Sequence, residues 1–174
     1  IFESCGRGMQ FDIRGEYWGV NGVGVTRCDT GVIIRAGNVH FSNPIITNNT
    51  INVVIQGTTY NASYVNDAHG TFTGGAINHP KGTTNILIDG VANGHFFTGV
   101  NMYYGYLDVR NSVGINFRDC TIGLDSVRLD SVTGFIFENC RITSTPAVLL
   151  NTAWGGGVST YYFLDNRNLN GTLH

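Results

Sequence analysis

Apolar residues in this chain recur as pairs one position apart, and the pairs keep time. Phe11/Ile13, Val32/Ile34 and Val53/Ile55 are spaced by 21 residues, and Ile86/Ile88, Leu107/Val109, Val127/Leu129 and Val148/Leu150 continue at 20 to 22. Two sets of single positions share the beat. Phe97, Phe117 and Phe137 are 20 apart, as are Val100, Cys120 and Cys140, and Met102, Ile122, Ile142 and Tyr162. The stretch SVGINFRDCTIGLDSVRLDSVTGFIFENCRITS, Ser112 to Ser144, shows two successive beats side by side. Three short period-2 strands per unit, divided by Gly, Asn, Asp or Ser, predict an all-β chain. The architecture expected is a right-handed parallel β-helix, a solenoid of about seven 20–21-residue turns with three short strands per turn. Like residues then stack over like at roughly 4.8 Å. A β-sandwich would not repeat the identity of its columns. The leucine-rich line is absent, and hexapeptide helices would repeat at multiples of six. No stretch has a 3.6-residue period, so almost no helix is expected.

The beat breaks once. Ile55 to Ile86 is 31 residues, about ten more than one turn, which places an inserted loop within Gly57 to Gly82. Inserts in solenoids leave on one face, often the binding face. The rest reads as a single domain over residues 1–174. Leu169 opens a further turn and neither end offers a polar cap, so the sequence reads as a segment of a longer chain. Of the residues between the paired apolar positions, Ile33, Val54, Leu87 and Leu149 are themselves apolar. A parallel sheet covered on both faces gives such runs. Either the insert or another subunit is expected over that face. Trp18 is in phase with an inward column and is expected in the core.

Composition narrows the function classes. Charged residues make up 13% of the chain, the net charge is −2, and Lys81 is the single lysine. That leaves no basic stripe for nucleic acid, and no apolar run approaches membrane-spanning length. Cys120 and Cys140 fall in one interior column and are expected as stacked reduced thiols; Cys5 and Cys28, 23 apart, stack similarly.

The chemistry sits beside the first apolar column. Between the pairs lie Asp12, Ile33, Val54, Leu87, Asp108, Arg128 and Leu149; just after them come Arg14, Arg35, Gln56, Asp89, Arg110, Asp130 and Asn151. Asp89, Arg110 and Asp130 therefore occupy three consecutive turns, with Asp108 and Arg128 alongside. One reading is a surface charge ladder, worth about 0–1 kcal/mol per exposed pair. The other is a polysaccharide-cleaving site. Stacking puts Asp108 and Asp130 roughly 8 Å apart and Asp89 and Asp130 roughly 9–10 Å apart, and inverting glycosidases space acid and base by about 6.5–9.5 Å. On that reading Asp108, Asp130 and Asp89 are the catalytic candidates, and Arg110 and Arg128 orient an acidic sugar. Trp154, before three glycines, is the candidate ring for stacking on a pyranose; Tyr17-Trp18 and Tyr103-Tyr104-Gly105-Tyr106 are other aromatic clusters. Glu138 over Arg118 reads as a structural pair, and Asp119, Asn139 and Asp125 as turn residues. Asp67, His69 and His79 lie in the insert and match no metal-ligand spacing, so neither metal nor cofactor is expected.

The phrases GINFRDCTIG and GFIFENCRIT resemble coils of the pectin-lyase-like, right-handed parallel β-helix superfamily. Within it, the scarcity of lysine and the Asn/Gly-rich turns look most like the β-helical body of a bacteriophage tailspike. The resemblance covers roughly Phe11 to Leu169. It implies a homotrimer on the virion tail, acting extracellularly, that recognises and depolymerises a bacterial surface polysaccharide by glycoside hydrolysis. Cytoplasmic assembly of such a particle favours thiols over disulfides. The same resemblance admits a secreted polysaccharide lyase or epimerase, in which clustered acidic residues hold Ca²⁺ and a basic residue abstracts a proton. It also admits a non-catalytic virion shaft or adhesin.

Overall fold

Alternation along the strands determines the architecture. Val53 and Ile55, Ile86 and Ile88, Leu107 and Val109, and Val127 and Leu129 are fully buried, with the intervening residue of each pair on the opposite face. A short strand with one apolar face gains its hydrogen bonds and its core from the like strand of the next turn. The result, in a computed structural model that describes residues 1–12, 16–60, 64–66, 68–92, 94–143, 147–150 and 161–168, is a parallel β-solenoid. No described residue is helical.

Three sheets run the length of the stack. Sheet one holds Arg7–Phe11, Thr30–Ile34, Ile51–Gln56, Thr84–Asp89, Tyr106–Arg110, Ser126–Asp130 and Ala147–Leu150. Sheet two holds Glu16–Asn21, Gly37–Ser42, Gly70–Thr73, His95–Thr98, Ile115–Arg118, Phe135–Glu138 and Tyr161–Leu164. Sheet three has eight strands, Phe2–Glu3, Gly24–Thr26, Ile45–Thr47, Ala76–Asn78, Asn101–Tyr103, Thr121–Gly123, Arg141–Ile142 and Arg167–Asn168. Seven stacked strands are separated by six intervals, so the coil completes about six turns, slightly fewer than the seven beats suggest.

Register bears out most of the columns and corrects three placements. Val32, Val53, Ile86, Leu107, Val127 and Val148 follow one another directly, as do Phe97, Phe117 and Phe137. The first pair, however, is Met9/Phe11 rather than Phe11/Ile13, because Phe11 lies opposite Ile34. The first turn is two residues longer than the beat, and Gln10, not Asp12, occupies the outward position below Ile33. Tyr162 does not continue the Ile122–Ile142 column. It pairs with Ile136 in sheet two, while Ile142 faces Asn168 across a longer last turn. Trp18 is in the inward column, opposite Val39, yet 50% exposed. It belongs to the first turn, where stacking covers only one of its sides.

The surplus between Ile55 and Ile86 has a definite place. An antiparallel pair, Thr58–Tyr60 with Tyr64–Asn66, follows Gln56, and the chain then rejoins the stack at Gly70–Thr73 and Ala76–Asn78 as ordinary rungs. Of the outward apolar column, Ile33 is buried, Val54 and Leu87 are half-buried, and Leu149 is described only in its backbone.

Inside, like side chains stack. Phe41, Phe72, Phe97 and Phe117 lie ring on ring at 4.7, 5.2 and 4.4 Å with interplanar angles of 10° or less. Phe137 continues the column edge-on at 5.2 Å, because the ring of Phe135 enters beside it. The bend from sheet two to sheet three is also a column. Asn43, Asp119, Asn139 and Asp165, with Gly22, Gly74 and Gly99, all take positive φ there. Only Gly, Asn and Asp adopt that conformation cheaply. Asp119 and Asn139 are therefore the turn residues their sequence suggested, and the Asn139 amide donates to the Asp119 carboxylate. Arg118 and Glu138 form their ion pair, with Nε and Nη2 both donating to Oε2 at 2.9 and 2.6 Å.

Candidate functional site

The outer face of sheet one gathers the charged residues. Leu107 and Val109 point into the core, so Asp108 between them faces outward. Its column runs Leu87, Asp108, Arg128. Beside it runs Asp89, Arg110, Asp130, and on the other side Thr84, Tyr106, Ser126. Parallel, in-register stacking of period-2 strands thus brings three carboxylates, two guanidiniums and an aromatic ring onto one patch.

Asp108 is the unusual member. It is only 3% exposed although it points away from the core. Thr84 Oγ1 donates to its Oδ2 at 2.8 Å from the turn below. Arg128 on the turn above brings Nε to 3.7 Å from Oδ1, an ion pair without a hydrogen bond. Oδ1 itself is buried and accepts no hydrogen bond. The Arg128 guanidinium is held instead over the Tyr106 ring, 3.8 Å from its centroid, a cation–π contact. Ser126, directly above Tyr106, also buries a hydroxyl that has no partner. Unsatisfied buried polar groups cost free energy, and they concentrate at working sites.

The other carboxylates are tied more simply. Asp130 is 8% exposed and its Oδ1 accepts from Ser131 Oγ at 3.2 Å. Asp89 Oδ1 accepts from Asn111 Nδ2 at 3.1 Å. Asp89, Asp108, Arg110, Arg128 and Asp130 are therefore brought together as the register indicated. Trp154, the sixth candidate, and Asp67 lie outside the described residues. Asp125 is a turn residue whose Oδ2 accepts from the Gly105 N–H at 2.8 Å.

Three features escaped the sequence reading. His79 and Tyr104 sit one turn apart at the bend from sheet three to sheet one, both exposed, their ring centroids 4.6 Å apart and tilted by 35°. The broken beat around the insertion hid that neighbourhood. Asn49, Asn52 and Asn85 form a buried amide ladder at the same bend: Asn49 Nδ2 donates to Asn52 Oδ1, and Asn52 Nδ2 to Asn85 Oδ1, at 2.9 and 2.7 Å. A signal existed, since an Asn immediately precedes both Val53-Val54-Ile55 and Ile86-Leu87-Ile88. His95, finally, is wholly buried beside the stacked Phe72 and Phe97, with Nδ1 donating to the Ala68 carbonyl and Nε2 unpartnered. Burial, only partly opposed by that hydrogen bond, lowers its pKa to about 4. His69 pairs with Asn38, Nε2 to Oδ1 at 3.0 Å. Among the described residues no three His, Cys, Asp or Glu side chains converge as metal ligands.

Fold and patch together define a class: a three-sheet parallel β-solenoid carrying an outward carboxylate–arginine–tyrosine cluster. No family model, no curated protein and no solved structure matches the chain.

Proposed function

We propose that the solenoid is the glycan-binding body of a tailspike-type protein of the pectin-lyase-like kind. It lays a bacterial surface polysaccharide along the outer face of sheet one and hydrolyses it there. The assembly is a homotrimer on a virion tail. Because one fold hosts many functions, the support has to come from side chains. The observation that carries the reading is Asp108, an outward carboxylate 3% exposed, one oxygen held by Thr84 and the other without a donor. A carboxyl group with one free oxygen, beside a guanidinium and an aromatic ring, offers the kinds of group that a glycan site uses.

In this reading one carboxyl of the pair Asp108 and Asp130 gives its proton to the glycosidic oxygen. The other, on the neighbouring turn, takes a proton from the water that attacks the anomeric carbon on the opposite face. One water is consumed, the bond from the anomeric carbon to the leaving oxygen breaks, and the configuration inverts. Asp89 extends the carboxylate row, and Arg110 and Arg128 orient acidic groups of the sugar chain.

A second reading has its own support. The hold of Thr84 and Arg128 on Asp108 is also what a structural ion pair needs, and it favours a non-catalytic shaft or adhesin. Incubating the protein with purified capsular and lipopolysaccharide glycans separates the two. Chain shortening without a rise in ultraviolet absorbance supports hydrolysis. A rise in the unsaturated-uronate band shows a lyase, and binding without shortening supports the shaft.

A further inference from the structure

Four cysteines are present, and all four are free thiols. They form two stacked pairs with different surroundings. Cys120 and Cys140 occupy the bend after sheet two, one turn apart, and both are buried. Each thiol is committed to backbone carbonyls: Cys120 to Phe97 and Arg118 at 3.4 and 3.3 Å, Cys140 to Phe117 and Glu138 at 3.4 Å each. Their burial keeps both sulfurs out of reach of a bulky oxidant.

The pair Cys5 and Cys28 differs at one member: the Cys28 thiol is buried and reaches the Thr26 carbonyl at 3.4 Å, but Cys5 is only half-buried. The register Phe2 to Val25 and Glu3 to Thr26 continues through the bend, where the Ser4 N–H donates to the Thr26 carbonyl and the Asp29 N–H to the Cys5 carbonyl. Cys5 therefore lies directly opposite Cys28. In-register neighbours on stacked turns have Cα atoms about 5 Å apart, inside the 4.4–6.8 Å window a disulfide needs. The two sulfurs are in contact, 2.6 Å apart. Cys28 is buried, its N–H anchored on Asn49 Oδ1 at 2.8 Å, while Cys5 is only half-buried. One sulfur is thus open to an incoming reagent and the other is fixed behind it, the arrangement of an attacking and a resolving thiol.

We infer that Cys5 and Cys28 are a disulfide-forming pair that staples the first turn to the second under oxidising conditions. With a small-molecule disulfide such as oxidised glutathione, the Cys5 thiolate attacks one glutathione sulfur and expels glutathione thiolate. Cys28 then attacks the Cys5 sulfur of the mixed disulfide and expels the second glutathione. The protein loses two protons and two electrons, and one glutathione disulfide becomes two thiols. Contact with the Cys28 sulfur, with smaller effects of burial and of Asp29, holds the Cys5 thiol above its ordinary pKa, so the reaction accelerates as pH rises. The bond closes a 23-residue separation between two stacked turns.

The test is thiol counting and peptide mapping on the whole chain, reduced and then equilibrated with oxidised glutathione. The expected result is a fall from four titratable thiols to two, a mass loss of two hydrogens, and a Cys5–Cys28 linked peptide. Amide exchange in Phe2–Glu3 and Gly24–Thr26 slows in the oxidised form. Cys5→Ser and Cys28→Ser each retain three thiols under denaturation and form no intramolecular bridge. Persistence of all four thiols, a stable glutathione adduct on Cys5, or a Cys120–Cys140 bridge in place of the Cys5–Cys28 bond overturns the inference.

Discussion

His95 has its imidazole wholly inside the solenoid, beside the stacked rings of Phe72 and Phe97, and its pKa is lowered to about 4 against an ordinary 6.5. The unfolded chain therefore takes up this proton first as pH falls. Stability from His95 is complete above about pH 6.5 and is lost progressively down to about 4, by up to about 3 kcal/mol. Urea midpoints measured from pH 7.5 to 4 should fall more steeply for the parental protein than for His95→Leu. Parallel curves for the two would contradict the placement. The residues of the candidate site were legible to a different degree. Columns 20 to 22 residues apart put Asp89, Arg110 and Asp130 in one line and Asp108 and Arg128 in the next, and the register bears that out. What the spacing could not show is that Thr84 reaches diagonally to Asp108 and that Arg128 lies over Tyr106. Those contacts depend on rotamers and on depth, which a column position does not contain.

At the bends, identity is imposed by the backbone. The turn after sheet two carries positive φ at every described level, so Asp119→Gly should be nearly neutral. Asp119→Val, by contrast, should cost about 1–2 kcal/mol in urea unfolding, since a β-branched residue resists that conformation. Equal stability of the two variants would mean the bend has rearranged. The asparagine ladder makes a sharper case. Asn52 accepts from the Asn49 N–H and side-chain amide and donates to the Asn78 carbonyl and Asn85 Oδ1, all in the interior. Replacing it by Leu leaves several buried groups unpaired, and a loss of about 2–4 kcal/mol is expected from chemical denaturation. A loss below about 1 kcal/mol would show that water substitutes for the amide. The phenylalanine column was readable from its spacing. The edge-on turn of Phe137 was not, because it follows from the neighbouring Phe135 in the same strand.

As a whole, the molecule obeys stacking physics that a periodic sequence exposes well: three short strands per turn, parallel pairing, and like over like. The reading fails where turns change length. A first turn two residues longer moved the initial pair from Phe11/Ile13 to Met9/Phe11, and a longer last turn moved Tyr162 into sheet two. Length changes at a bend cost little and leave no mark on the flanking strands, so only the register reveals them. The same stacking builds the outward patch, since each strand of sheet one adds one side chain to each column. Hydrolysis at that patch is the central functional claim, and amide substitution tests it most directly. Asp108→Asn and Asp130→Asn keep shape and remove charge. With a glycan the parental protein shortens, each variant should still bind the chain while turnover falls by about 10²-fold or more. Cleavage by both variants at the parental rate would contradict the account and reduce the cluster to a structural charge ladder.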